Sequence, residues 1–380
     1  MQYDSTLAKN KISLQGDGFE LSTALYNVIA SKFIFGGTIS KEMSEKTFQF
    51  QRASNKIGGG FNLGIEYRSA HPIFKKNKEW SWMIDVSENG HFSGDYSDNV
   101  FGLLFLGNAH FLGETIEISG TYGRYEQFLS IGGGIHNRKT KSFITINAIF
   151  PQNFFNLAID KGDIGFSNTG DEWNLNAEGT LLSANSYAYF KGLGAALNFG
   201  VYLPFGKGKK FNGIIEITGR NLGFYELNKA NYYTVHTHKL YSGFSIKDLV
   251  NNVDDINLMD TLGISKREKT RGYLLPGFVQ VGKIVMADSA KRWQSFFGLR
   301  FYTTKVYRPM IYAGVNFQPV STVSIGTQLS YGGYGDLRLG LYVNYFTKRW
   351  NVGIGTEDLL GALMKYQFGY SGLIRASWTF

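Results

Sequence analysis

From residue 311 to the end of the chain, apolar and polar positions alternate. Ile311, Ala313, Val315 and Phe317 alternate with Tyr312, Gly314, Asn316 and Gln318. The pattern repeats as Val323, Ile325, Thr327, Leu329 and Tyr331 against Ser324, Gly326, Gln328 and Ser330. It repeats again as Leu337, Leu339, Leu341, Val343 and Tyr345 against Arg338, Gly340, Tyr342 and Asn344. The last run sets Gly372, Ile374, Ala376, Trp378 and Phe380 against Leu373, Arg375, Ser377 and Thr379. Successive side chains of a strand point to opposite faces, so each run predicts a strand with one apolar and one polar face. Further runs begin at Phe61, Trp80, Leu193 and Trp293. Each has the length, about 9–11 residues, that a tilted strand needs to cross a bilayer.

A soluble sandwich also alternates, but its second face meets water. Here that face is rich in Gly, Asn, Gln and Ser with isolated charges, and aromatic residues gather near strand ends, as expected of a lumen and of interfacial girdles. The expected fold is therefore all-β, a transmembrane antiparallel β-barrel of about 14 strands. If the last strand ends on the periplasmic side, the short connections 137–140, 205–210, 286–291, 318–321 and 346–349 fall on that side. Long outer loops are then expected near 151–191 and 241–271. Residues 1–46 do not alternate, and Leu21, Leu25 and Ile29 have helix-like spacing before Gly36 and Gly37. They are expected to form an N-terminal plug or a periplasmic segment, with the barrel occupying 47–380.

Composition narrows this further. The 380 residues include 31 Phe, 23 Tyr, 47 Gly, 6 Pro and no Cys, a mixture that favours strands and tight turns. No stretch is long and apolar enough for a membrane helix, and the mean hydropathy is -0.16, so a membrane location has to come from the alternation itself. Absence of cysteine excludes disulfides, thiolate metal sites and cysteine nucleophiles. Residues 1–5 have neither a basic nor an apolar run, so a secretory signal peptide would belong to a precursor. The net charge is +9, with basic residues in twos and threes at turns, such as Arg138 and Lys139 or Lys348 and Arg349. That distribution suits anionic lipid and lipopolysaccharide phosphates at a membrane edge; it lacks the repeated Arg and aromatic stripe of a nucleic-acid surface.

Candidate chemistry is sparse. Arg300, Arg338 and Arg375 face inward on late strands, Glu66, Arg68 and Asp85 on early ones, and Glu216 with Arg220 on a middle one. Once the barrel closes, these are expected to form a lumen lattice of ion pairs, with an anion-conducting constriction as the other reading. His236 and His238 share a strand face, but no third metal ligand accompanies them. The oxygen-rich run 251–260 lacks calcium-loop spacing, and the glycine and lysine run 206–210 lacks phosphate-loop spacing. No spaced nucleophile and base, no cofactor motif and no metal set are evident, so no enzymatic activity is expected.

The free C-terminal Phe380, with Trp378 and Ile374 at the same parity, resembles the signal by which bacterial barrels are handed to their insertion machinery. The strings SKFIFGG (31–37), NVFGLLFLGN (99–108), FPQN (150–153), VYLPFGKG (201–208) and ITGRNLGF (217–224) resemble a family of outer-membrane barrels of the Bacteroidota with no assigned function. The plan is also similar to FadL- and PorV-type barrels, which implies fourteen strands and an N-terminal plug; no ligand site carries over. Two functions are therefore expected in order. The first is a structural or accessory subunit of an outer-membrane complex for secretion or protein assembly, with protein partners. The second is a FadL-like channel for hydrophobic small molecules, motivated by inward Phe296, Tyr302 and Tyr342.

Overall fold

A computed structural model of the protein describes residues 2–3, 9–184, 190–206, 213–242, 264–286 and 292–380. The strands are β1 (Gln2–Tyr3), β2 (Lys11–Ser22), β3 (Asn55–Pro72), β4 (Trp80–Tyr96), β5 (Thr115–Glu117), β6 (Tyr122–Asn137), β7 (Phe143–Phe166), β8 (Glu172–Ser183) and β9 (Gly192–Phe205). They continue as β10 (Gly213–Ser242), β11 (Ile264–Leu274), β12 (Phe278–Met286), β13 (Trp293–Tyr302), β14 (Arg308–Val320), β15 (Val323–Gly333), β16 (Arg338–Phe346), β17 (Trp350–Thr356) and β18 (Gly369–Thr379). The helices are α1 (Asn27–Phe35), α2 (Lys41–Phe48), α3 (Asp98–Phe105) and α4 (Leu359–Leu363).

Fourteen strands, β2, β3, β4, β6, β7, β9, β10 and β12 to β18, pair antiparallel in that order, and β18 pairs with β2 to close the ring. The alternation explains the closure. Outward positions such as Leu63, Ile84, Leu193, Phe297, Ile311, Leu329, Ile354 and Ile374 are exposed and apolar, and inward positions are polar, small or aromatic. A closed ring leaves no unpaired backbone edge, which is what the interior of a bilayer demands of a β structure. Trp350 stacks on Trp378, which stacks on Phe380, while Trp293 meets Phe317 and Tyr67 meets Trp82. These aromatic groups gather at the end where the chain termini and the short connections after Asn137, Val320 and Phe346 lie. This end is the turn end, and the opposite one the loop end.

The expectation for residues 1–46 is corrected. Lys11–Ser22 is a barrel strand, paired with β18 from Leu21↔Gly369 to Lys11↔Thr379 and with β3 along its other edge. The barrel therefore starts at β2, not at residue 47. The helices that follow do not fill the lumen. Gly58 faces the lumen, where the Tyr334 ring would meet any added Cβ at 2.5 Å, so its neighbour Ile57 faces outward. Ile57 and the outward Tyr96 pack with Leu25, Ile29, Ala30, Met43, Phe48 and Phe101. Thus α1, α2 and α3 form a collar against the outside of the β2–β4 wall at the loop end. Of the three residues with helix-like spacing, Ile29 lies on α1, Leu25 precedes that helix and packs in the same cluster, and Leu21 belongs to a strand.

The span 151–191 is largely strand rather than loop, and of 241–271 the described residues, 241–242 and 264–271, are strand, while 243–263 lie outside the described residues. Above the top of β9, β8 takes its place between the same two neighbours, pairing with β7 and with β10. β11 extends β12 in the same way along the other edge of β10. The result is a sheet that rises beyond the barrel. One face of it carries Ile164, Phe166 and Trp173, which pack on Phe111, Ile116 and Ile118. The run 251–260 lies outside the described residues, as does most of 206–210.

Candidate functional site: the lumen and its cap

The lumen is filled in layers. Nearest the turn end, Met83, Phe143, Tyr202, Ile214 and Ile284 form an apolar floor. On it, Arg68 donates to both carboxylate oxygens of Glu66, at 2.6 and 3.1 Å. The two are i and i+2 on β3, so strand parity puts them on one face. The guanidinium groups of Arg68 and Arg220 lie 5.0 and 4.8 Å from the Phe143 ring centroid. Arg220 and Arg375 are both within electrostatic range of Glu66. Asp85 instead accepts from Asn147 Nδ2 at 2.6 Å.

A belt of amides crosses the middle. Gln15 Nε2 donates to Asn62 Oδ1 (3.0 Å), and Asn62 Nδ2 to Asn89 Oδ1 (2.7 Å). Asn221 Nδ2 reaches the same Asn89 oxygen at 3.4 Å from the far wall, and its backbone N–H donates to Asn198 Oδ1 (2.7 Å). Asn198 Nδ2 then donates to Asn147 Oδ1 at 3.2 Å. Asn221 can span the lumen because β10 bulges there: the register shifts between Gly219 and Leu222, and Asn221 has φ 52, a left-handed conformation that asparagine tolerates.

Higher up, Arg300 donates to Glu357 Oε1 (3.1 Å) and Gln280 Oε1 (2.9 Å), and Gln280 Nε2 donates to Glu216 Oε2 (3.3 Å). Glu216 is thus served by Gln280, while Arg220 is drawn to Phe143. Arg338, only 5% exposed, donates to the Gly332 carbonyl (3.1 Å) and approaches Met310 Sδ (3.2 Å), and its Nε has no partner. Phe19, Leu21, Arg300, Tyr302, Tyr307, Met310, Arg338 and Glu357 enclose a cavity of about 20 Å3. That is room for about one water molecule.

The loop end is capped from inside. The wholly buried Tyr334 hydrogen-bonds His91 Nε2 (3.1 Å) and Thr304 Oγ1 (2.8 Å), and its ring packs with Leu21 and Val306. Gly332 and Gly333, at φ 100 and 72, turn the chain inward to place it. Beside this cap, Arg124 and Tyr225 both donate to the buried Glu126, at 2.9 and 2.7 Å, and Arg124 lies over the rings of Phe154 and Tyr273.

Of the residues anticipated from sequence, Glu66, Arg68, Arg220 and Arg375 come together, Asp85 joins the amide belt, Glu216 and Arg300 share Gln280, and Arg338 lines the small cavity with Arg300. Ile374, Trp378 and Phe380 face outward and are exposed, Ile374 midway along β18 and Trp378 and Phe380 at the turn end. Sequence reading missed Glu357, which follows the end of a short strand and has no parity to reveal it. It also missed Arg124 and Glu126, although their i, i+2 spacing repeats that of Glu66 and Arg68. His236 Nδ1 lies 3.7 Å from Glu178 Oε1, and no group of three metal-ligating side chains occurs among the described residues.

No protein-family model matches the chain, and no curated protein sequence matches it. Among solved structures, it is similar to a TodX monoaromatic hydrocarbon channel carrying the deltaS2S3 mutation, at 9% identity over 99% of this chain and 91% of that one, with a TM-score of 0.47. It is similar to the Pseudomonas putida toluene transporter TodX at 10% identity over 99% and 91%, with a TM-score of 0.41. It is also similar to the translocator domain of the autotransporter NalP from Neisseria meningitidis, at 10% identity over 99% and 90%, with a TM-score of 0.31.

Proposed function

We propose that this chain is an outer-membrane channel for hydrophobic or amphiphilic small molecules, closed at rest. The observation that carries the reading is the small cavity beneath the cap. Phe19, Leu21, Tyr302, Tyr307 and Met310 offer it apolar and aromatic surface, and Arg338 offers a buried guanidinium whose Nε has no hydrogen-bond partner, with Glu357 across the same cavity. A ligand with an apolar body and an acidic or polar head is suited to such a lining. Entry requires the inward segments 303–307 and 332–337 to withdraw, since Tyr334 blocks the lumen at rest. The amide belt below limits passage further, so ions are not expected to flow freely.

A second reading is favoured by the sheet above the barrel. Its edge strand β11 exposes Lys266, Arg267, Lys269 and Arg271, a surface that suits a partner subunit of a secretion or assembly complex. Gentle detergent extraction followed by mass spectrometry of the intact particle separates the two. The channel reading expects a lone barrel retaining an amphiphile, with Arg338→Gln lowering the retained acidic amphiphile several-fold. A stoichiometric protein partner and an empty barrel would overturn it in favour of the second.

A further inference from the structure

The collar exposes an apolar surface that the barrel wall does not cover. At the end of α1, Phe33 and Phe35 are 65% and 80% exposed, with Ile34 between them, and Leu104 of α3 is equally open. The two helices meet beside these residues, where the Phe33 ring meets Phe105, the neighbour of Leu104, edge-on at 6.1 Å between centroids. The opposite side of the same helices is what holds the collar in place, through Ile29, Ala30 and Phe101 against Ile57 and Tyr96. By contrast α2 exposes charged turns, with Lys46 paired to Glu42 at 2.8 Å and Lys41 to Glu45 at 3.7 Å.

Height in the membrane identifies what meets the patch. Tyr67 lies in the aromatic group at the turn end, and Ile57 lies under the collar on the same outward row of β3. Ten residues at about 3.3 Å each give about 33 Å along the strand. At a tilt of about 40° this is about 25 Å of height, the span of a barrel's apolar band. The collar therefore stands at the upper edge of that band and continues the lipid-facing surface of Leu63 and Ile65 outward.

We propose that the α1–α3 face of the collar is a lipid contact, with Phe33, Ile34, Phe35 and Leu104 seated at the boundary between headgroups and acyl chains of the loop-end leaflet. Aromatic and aliphatic side chains at this depth bury apolar area while α2 stays in water, the division found in interfacial amphipathic helices. The collar would then fix how deeply the barrel sits, and would hold the loop end against lateral rocking.

The chain has no cysteine, so a single introduced one is a unique probe. Spin labels at Phe35→Cys and Leu104→Cys, in phosphatidylcholine vesicles, are compared with Leu63→Cys on the wall and Lys41→Cys on α2. The expected result is oxygen accessibility at 35 and 104 several-fold above that at 41 relative to a water-soluble nickel chelate, at a depth shallower than 63. Nickel accessibility matching position 41 would overturn the proposal. Shielding from both reagents would also overturn it, by assigning the patch to a second copy of the chain. Because these positions lie far from the lumen, either result stands whatever the barrel carries.

Discussion

Asn27 shows how much one side chain can hold. Its Nδ2 donates to the carbonyls of Gly361 (3.0 Å) and Gly369 (2.9 Å), and its Oδ1 accepts from the Gly369 N–H (2.6 Å). The site is buried, and β17 ends at Thr356, so α4 has to complete the wall between β16 and β18 at the loop end. Asn27 pins it there. Asn27→Ala leaves three buried backbone groups without partners, each worth about 1–3 kcal/mol when orphaned, with partial relief as water enters. A net loss of about 3 kcal/mol is expected, read as a lower urea midpoint by tryptophan fluorescence in micelles. A change below about 0.5 kcal/mol would show that α4 is held by packing alone. Nothing in the sequence announces this residue, because its partners lie more than three hundred positions away.

At the scale of elements, legibility followed parity. Strands β13 to β16 and β18 could be read directly, since their outward rows are apolar apart from Ser295 and Thr327 and their inward rows are mostly small, polar or aromatic. β2 could not. Its outward row runs Ile12, Leu14, Gly16, Gly18, Glu20, and its inward row ends in Phe19 and Leu21, which pack toward the cavity and the Tyr334 cap. Glu20 can point outward because the collar buries it. The apolar signal thus changes face halfway along the strand, and what remained looked like the start of the helix that follows. The same parity argument makes Glu66 and Arg68 a single unit. Arg68→Met removes the partner that a largely buried carboxylate needs, and about 2–4 kcal/mol of barrel stability is expected to go with it. Arg220 and Arg375 are close enough to recover part of this. Replacing both members, as Glu66→Gln with Arg68→Met, is expected to restore most of the loss, because no uncompensated charge remains. A double variant as unstable as the single one would show that the pair's packing on Phe143, not its charge, is what matters.

For the whole molecule, the decisive contact is the one that joins the two ends of the chain. β2 rises from the turn end while β3 and β18 both descend to it, so β2 is antiparallel to each of its neighbours. An even number of strands is what allows both termini to lie at one end. Without β2, the remaining thirteen strands could close only through a parallel seam between β3 and β18, and their pairing groups would otherwise face lipid at several kcal/mol each. Deleting residues 1–22 is therefore expected to abolish the compact, heat-modifiable form on cold electrophoresis, whereas deleting residues 1–8 leaves it intact. Were the N-terminal segment a plug, the first deletion would give a folded barrel with raised ion conductance in a planar bilayer. A folded product of the 1–22 deletion would thus refute closure through β2, and its conductance would show whether the amide belt can seal the lumen without Gln15.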